Sequence, residues 1–290
     1  MKGIVPVVIT PLNKGEIDIN SLINLLEYLS HKGARSFWMF GTGGEDWAIN
    51  AQERIKIIKS IKKQKDFDSL KFIYGVGNMR FKETIALVKA LNSLKISDIH
   101  FIQPSRVLSP ECIINQYKQI KLISNLRLWG YFSDNYSRSF DEKEWNLNEL
   151  KTLLAGIKLS TSNISNLKKV IEKTSSDFIL PAKANQFFKS LNCGASSTTS
   201  IEANISFCHL DNIFNLFKNN YISEAFSAQD IFSKRASLIR TKYGRFNFMN
   251  IAEIKYILFK HKIISNEEVS NELFSLSNEC KSLLSNIKID

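Results

Sequence analysis

The feature that most constrains this chain is an eightfold alternation. Short apolar runs and amphipathic stretches follow one another from the first residues to about residue 219. The apolar runs are GIVPVVIT (3–10), SFWMF (36–40), KFIYGV (71–76), DIHFIQ (98–103), LRLWGYF (126–132), LAGIKL (154–159), DFILPA (177–182) and a more polar ASSTTSI (195–201). Helical periodicity fills the gaps: residues 18–31, with Leu22, Leu25, Leu26 and Leu29 inward, then 50–61, 82–94, 110–122, 146–152, 162–173, 184–192 and 209–219. Asn50 followed by Glu53 is a capping-box start. Strands joined by helical crossovers lie parallel. Eight such units predict an α/β chain folded as a (β/α)8 TIM barrel. An open doubly wound sheet is the alternative, but no G-x-G-x-x-G follows the first run. Beyond Tyr221 the chain reads as helix only, so we expect a barrel over 1–221 and a C-terminal helical appendage over 222–290.

Composition narrows the class. The 290 residues are 44% apolar and 23% charged, an ordinary globular balance. No run approaches a membrane span, and Pro6 breaks the first apolar run, which reads as a strand and not a signal peptide. Cys112, Cys193, Cys208 and Cys280 are far apart, and His31, His100, His209 and His261 are scattered. That spacing argues against a disulfide framework or a metal centre, and the expected location is cytoplasmic. The net charge of +11 raises the question of nucleic acid. In RIKIIKSIKKQK (54–65), however, isoleucines 55, 58 and 61 mark an inward face and the lysines a solvated one. Neither nucleic acid nor a membrane is expected as a partner.

One residue does not fit its strand. Lys158 ends the apolar run that begins at Leu153. Burying an ammonium is costly unless it is paired or loses its proton. Two readings stand open on the strand alone. A snorkelling or ion-paired lysine is one. The other is a lowered pKa and a nucleophilic amine that forms a Schiff base with a ketone. In a barrel, strand ends converge on one mouth. Tyr131, ending strand five, supplies a hydroxyl suited to proton transfer, or it is a packed aromatic with a satisfied OH. The turn Gly41-Thr42-Gly43-Gly44 leaves strand two. It presents N–H groups of the kind that bind carboxylates, or it is a tight loop.

These residues carry a resemblance. The opening GIVPVVITPLNKGEIDINSLINLLEYLSHKGA, GTGGE (41–45), YGVG (74–77), GIKLSTSN (156–163) and GASSTTSIEAN (194–204) resemble, in order and spacing, the dihydrodipicolinate synthase / N-acetylneuraminate lyase family of class I aldolases. The resemblance runs from residue 1 to about 260. It implies a cytoplasmic lyase that acts on pyruvate or a related 2-keto acid by aldol cleavage or condensation. It also implies a homo-oligomer, tetramer or dimer, with no cofactor and no metal. Carried over, Lys158 is the Schiff-base lysine, Tyr131 the proton-transfer residue and Thr42 its relay partner. Gly41, Gly43 and Gly44 seat the keto-acid carboxylate, Gly43 standing where the family has Thr or Ser.

The departures concern the substrate-facing shell. Tyr131-Phe132-Ser133-Asp134 replaces Y-N-x-P, and Pro104-Ser105-Arg106 replaces P-Y-Y. Ala182-Lys183-Ala184 replaces Gly-x-Asp/Glu, and Lys158-Leu159-Ser160-Thr161-Ser162-Asn163 replaces K-D/E-x-S-G-D. Hydroxyls at 196–200, Thr199 among them, would suit a polyhydroxylated substrate or cap their own strand end. The polar stretch 132–145 reads as a loop at the mouth, where Arg138 or Arg106 would grip a second carboxylate or phosphate or serve as a surface arginine. We therefore expect an aldolase of hydroxylated 2-keto acids. The alternatives are dihydrodipicolinate synthesis proper, a decarboxylase or dehydratase of the same fold, and a degenerate barrel that binds or regulates.

Overall fold

The computed structural model describes residues 2–103, 107–141, 143–247 and 249–290. Its strands are β1 (Gly3–Pro6), β2 (Leu12–Asn13), β3 (Glu16–Ile17), β4 (Ser36–Met39), β5 (Lys71–Gly75), β6 (Asp98–Phe101), β7 (Arg127–Ser133), β8 (Gly156–Ser160), β9 (Ile179–Pro181) and β10 (Ser197–Ser200). Strands β4 to β9 form one six-stranded parallel sheet in chain order, and β1 pairs with β10 in parallel. All eight apolar runs of the sequence thus contain parallel strands. β2 and β3 are an unforeseen hairpin, its turn made by Lys14 and Gly15 at φ of 55° and 77°.

The first strand is shorter than GIVPVVIT suggested, because the chain changes partner at Val7. Its amide donates to Ser200 O at 2.9 Å, and the next amide, of Val8, donates to Trp38 O at 3.1 Å. A parallel bridge joins Val7 to Trp38. At the other end of the six-stranded sheet, Thr198 Oγ1 donates to Pro181 O at 3.2 Å, tying β10 to β9.

Eight helices alternate with these strands: α1 (Ile19–His31), α2 (Ala51–Ile61), α3 (Phe81–Ser93), α4 (Pro110–Ile123), α5 (Leu147–Leu153), α6 (Ile164–Lys173), α7 (Phe187–Asn192) and α8 (Phe207–Lys218). Their starts are written locally. Asp18 caps α1 by accepting from Ser21 N, and Asn50 with Glu53 makes the expected capping box on α2. Ser109 caps α4, with Pro110 in the first turn. The four leucines of α1 are buried as their spacing requires.

The inner face of α2 differs from expectation. Ile57, Ile58 and Ile61 are buried, whereas Ile55 is half-buried. Arg54 at the head of that basic stretch is not solvated at all. Its guanidinium donates to the carbonyl oxygens of Ile49, Gly75, Gly77 and Asp46, at 2.6 to 3.1 Å. Four carbonyl acceptors offset the cost of burying this cation.

Helices α9 (Ile222–Ile239), α10 (Lys242–Phe246), α11 (Ile251–Lys260) and α12 (Asn278–Leu284) follow. This part is not helix only. The chain between α11 and α12 is irregular, and Glu268 bridges to Leu12. The Glu268 carboxylate accepts from Lys14 N at 2.7 Å and Gly15 N at 2.6 Å. Lys255 of α11 pairs with Glu45 in a fully buried ion pair. Residues of these helices, among them Phe232, Ile251, Ile254 and Leu258, join the same apolar core as the strands. Among the described residues, no helix is long and apolar enough to cross a membrane.

Candidate active site

Lys158 sits on β8 with 3% of its surface exposed. Its register partner across the β7–β8 ladder is Tyr131. Lys158 Nζ lies 4.2 Å from the Tyr131 ring centroid and 4.9 Å from that of Trp38. The ring faces favour an ammonium, but loss of hydration opposes it more strongly. Burial draws the Lys158 pKa from 10.5 down to about 7, while the Asp46 carboxylate pulls it back up. A large fraction of this amine is therefore neutral near pH 7.

The surroundings explain the desolvation. Trp38 stacks on His100 with centroids 4.2 Å apart. His100 is fully buried, and burial holds its pKa well below the ordinary imidazole value. Its Nε2 lies 2.9 Å from Met39 O, which can only accept, so Nε2 carries the proton. The floor around Lys158 is thus two neutral aromatic systems and a phenol.

Tyr131 is also buried, and desolvation raises its pKa well above the usual phenol range, partly opposed by a hydrogen bond with Thr42. It is a protonated donor at neutral pH. Thr42 owes its position to a tight turn, residues Thr42–Gly44, closed by Gly44 N donating to Gly41 O at 2.7 Å. A Cβ on Gly44 would lie 2.7 Å from the backbone oxygen of Val8, so no larger residue fits without moving β1's continuation. The next residue, Glu45, takes φ of 57° and turns into the Lys255 pair.

A cavity of about 510 Å³ opens over this floor. Lys158, Tyr131 and Thr199 line it, as do Tyr136, Lys183 and Arg240. Residues 41–44 do not line it, and Thr42 meets it only through Tyr131. The Gly44 amide is spent inside the turn and does not face a ligand. Arg138 is not brought to the cavity either. Its guanidinium donates to Leu108 O at 3.0 Å and pairs with Glu144 at 3.3 Å. Arg106 lies outside the described residues. The stretch 132–145 is less polar than it reads, because Phe132, Phe140 and Trp145 pack edge-on and stacked into the core.

The hydroxyls of the eighth strand part ways between Thr198 and Thr199. Thr198 bonds to β9, while Thr199 and Ser200 face the cavity. Thr199 Oγ1 is wholly buried and has no hydrogen-bond partner among the described residues. Ser200 Oγ donates to Glu202 at 2.5 Å.

Asp46 was missed by reading the sequence. It follows the GTGGE turn directly, is buried, and its Oδ1 accepts from Asn78 Nδ2 at 3.2 Å. Desolvation raises its pKa from 3.8 to about 6, opposed by Arg54, Asn78 and Lys158. Its place in the motif was the available signal, but its approach to Lys158 needs the fold. Lys183 and Arg240 were likewise not singled out as site residues. Among the described residues, no group of three or more His, Cys, Asp and Glu side chains is placed to hold a metal.

Comparison with known proteins gives the family and the fold. The sequence profile of the dihydrodipicolinate synthetase family matches residues 1–287. The 4-hydroxy-tetrahydrodipicolinate synthase of Buchnera aphidicola is 23% identical over 98% of this chain and 96% of its own. The structure of N-acetylneuraminate lyase from Aliivibrio salmonicida superposes with a TM-score of 0.87 at 17% identity, over 98% of this chain and 95% of that one. Dihydrodipicolinate synthase from Bacteroides thetaiotaomicron superposes with a TM-score of 0.85 at 18% identity, over 98% and 96%. The chain belongs to the dihydrodipicolinate synthetase family.

Proposed function

We propose that this protein is a carbon–carbon lyase that holds pyruvate or a related 2-keto acid as a Schiff base on Lys158. One observation carries the reading: a buried lysine drawn to a pKa of about 7, paired in register with a buried tyrosine. The architecture we infer is a (β/α)8 barrel, its eight parallel strands closed by the Val7–Trp38 bridge and the Thr198–Pro181 contact. Residues 222–290 form its appendage.

The steps follow from the groups. The neutral Lys158 nitrogen adds to the keto carbon, C2. Tyr131 gives its proton to the departing hydroxyl, water leaves, and a protonated imine and a phenolate remain side by side. The cationic imine stabilises the anionic oxygen at that moment. In cleavage the C3–C4 electron pair flows into the imine. The phenolate takes the C4 hydroxyl proton, and an aldehyde departs. Protonation at C3 and hydrolysis release the keto acid and the free amine. Condensation is the reverse. The imine is itself the electron sink, so the reaction needs no cofactor or metal. Thr42 holds the Tyr131 hydroxyl. We infer cytoplasmic action as a homo-oligomer from the resemblance alone.

The test is borohydride reduction in the presence of pyruvate, followed by peptide mass mapping. The expected adduct is on Lys158. A protein left unmodified by pyruvate and by 2-oxobutyrate at high concentration would overturn the reading.

A further inference from the structure

We propose that the substrate is a 2-keto acid carrying a second anionic group, a phosphate or a carboxylate, at the end remote from the keto carbon, and that Lys183 and Arg240 bind it. The proposal rests on the Schiff-base reading of Lys158 and extends it to the other end of the cavity.

The cavity has a graded wall. Lys158, Tyr131 and Thr199 at its floor are buried, whereas Asn185, Ser237 and Arg240 are exposed and mark its mouth. About 510 Å³ is far more room than a three-carbon acid occupies, so the site is shaped for a longer chain. The wall also carries neutral hydrogen-bonding groups. The unpartnered Thr199 Oγ1 lies deep, and Ser233 and Asn250 line the same cavity.

Charge is distributed unevenly along this wall. Besides Lys158, whose amine is largely neutral near pH 7, its lysine, arginine and carboxylate side chains are two cations, Lys183 and Arg240, and one carboxylate, Glu202. The Glu202 carboxylate accepts from Ser200 Oγ. Lys183 is half-buried, on the turn that leaves β9, and Arg240 is the residue at which α9 ends. Two distant segments thus bring a cation each to one cavity. Among the described residues, neither side chain has an ion-pair or hydrogen-bond partner. A half-buried ammonium without a counter-charge has lost hydration and gained nothing for it. An anion supplied by the substrate restores that balance, and a guanidinium and an ammonium lining one cavity suit phosphate and carboxylate oxygens alike. A substrate laid keto end down then meets hydroxyl and amide partners in its middle and two cations at its tip.

Borohydride trapping at Lys158 reads binding independently of turnover. Three six-carbon probes differ only at C6: 2-keto-3-deoxygluconate, its 6-phosphate, and the corresponding diacid, 2-keto-3-deoxyglucarate. Half-saturation for at least one anionic probe should be about tenfold or more below that of the neutral one, the scale of one charge-assisted contact. Which anion wins separates phosphate from carboxylate. In Lys183→Gln and Arg240→Gln that ratio should fall, and in the double variant it should approach one, while Lys183→Arg retains most of it. If pyruvate labels Lys158 but the neutral probe binds as well as both anions, the proposal is wrong and the Schiff-base reading stands. The same holds if the anionic advantage survives in the double variant. If pyruvate and 2-oxobutyrate leave Lys158 unlabelled, both fall together.

Discussion

Tyr131 and Lys158 occupy paired positions on neighbouring parallel strands, with the lysine nitrogen 4.2 Å from the centre of the tyrosine ring. The pairing puts a proton donor and a nucleophile into the same dry volume. Asp46 acts on both groups, its carboxylate raising the pKa of the lysine and of the phenol.

Schiff-base trapping should rise with pH through about 7, not through 10, because the Lys158 amine loses its proton there. The same shift has a sign for stability. The folded pKa lies below the unfolded value of 10.5, so between about 7 and 10.5 the unfolded chain holds the extra proton. Stability contributed by this site therefore increases with pH across that window and is lost as pH falls through it. Denaturation midpoints of wild type and Lys158→Met, compared at pH 6 and pH 9, check this. The variant's advantage should be larger at pH 6.

Asp46→Asn should move the trapping profile to lower pH, because the carboxylate raises the Lys158 pKa. Asp46 itself is held above its ordinary value by burial, so the native state binds its proton more tightly than the unfolded chain between about 4 and 6. Its carboxylate thus weakens the fold above that range, and the isosteric amide should raise the denaturation midpoint at pH 7. An unshifted profile would mean that Asp46 and Lys158 are electrically independent.

Tyr131→Phe should cut turnover by about 10²–10⁴-fold, the usual contribution of a positioned acid–base group. The ring stays, so its edge contact with Trp38 at 6.3 Å and the packing of β7 are kept. Trapping of pyruvate should remain detectable in single-turnover experiments. Unchanged turnover would return Tyr131 to a packing role.

Gly43→Thr, which restores the hydroxyl residue common in the family, should destabilise this chain. A Cβ there lies 3.0 Å from Val7 Cγ1 and 3.1 Å from Ile201 Cδ1, tighter than most real Cβ contacts, so both side chains must give way. Overpacking of this kind costs about 1–3 kcal/mol. Adding Ile201→Val, which removes the Cδ1 methyl, should recover part of the loss in urea denaturation. No recovery would place the strain at Val7.

Glu45→Ala should be among the most damaging single changes outside the floor of the cavity. It strands the Lys255 ammonium in a fully buried position and removes the acceptor of Ser270 N at 2.7 Å. Breaking one partner of a buried pair costs about 3–5 kcal/mol. The double change Glu45→Ala with Lys255→Met should be milder than the single one. A double variant as unstable as the sum of its parts would show that the pair has no coupling.

Much of this protein is local. The alternation of apolar runs and amphipathic stretches placed the eight parallel strands and their helices, and the caps at Asp18, Asn50 and Ser109 are readable because an N-cap acts over three residues. Lys158, Tyr131 and Thr42 could be grouped from sequence because each ends or follows an apolar run, and such ends share one face of a parallel fold. What the tertiary structure alone decided is polar and long-range. Arg54 and Lys255 carry no local mark that separates them from the solvated cations beside them. Their burial depends on carbonyls and a carboxylate supplied by other segments. Arg138 and Lys183 are equally plausible cations in the sequence. Only the packing of Phe132, Phe140 and Trp145 and the course of β9 send one away from the cavity and the other into it. Apolar periodicity is a property of neighbours in the chain, whereas the environment of a charge is the sum of everything folded around it. That is why the strands could be counted and Lys158 singled out in advance, while the other charges of the site could not.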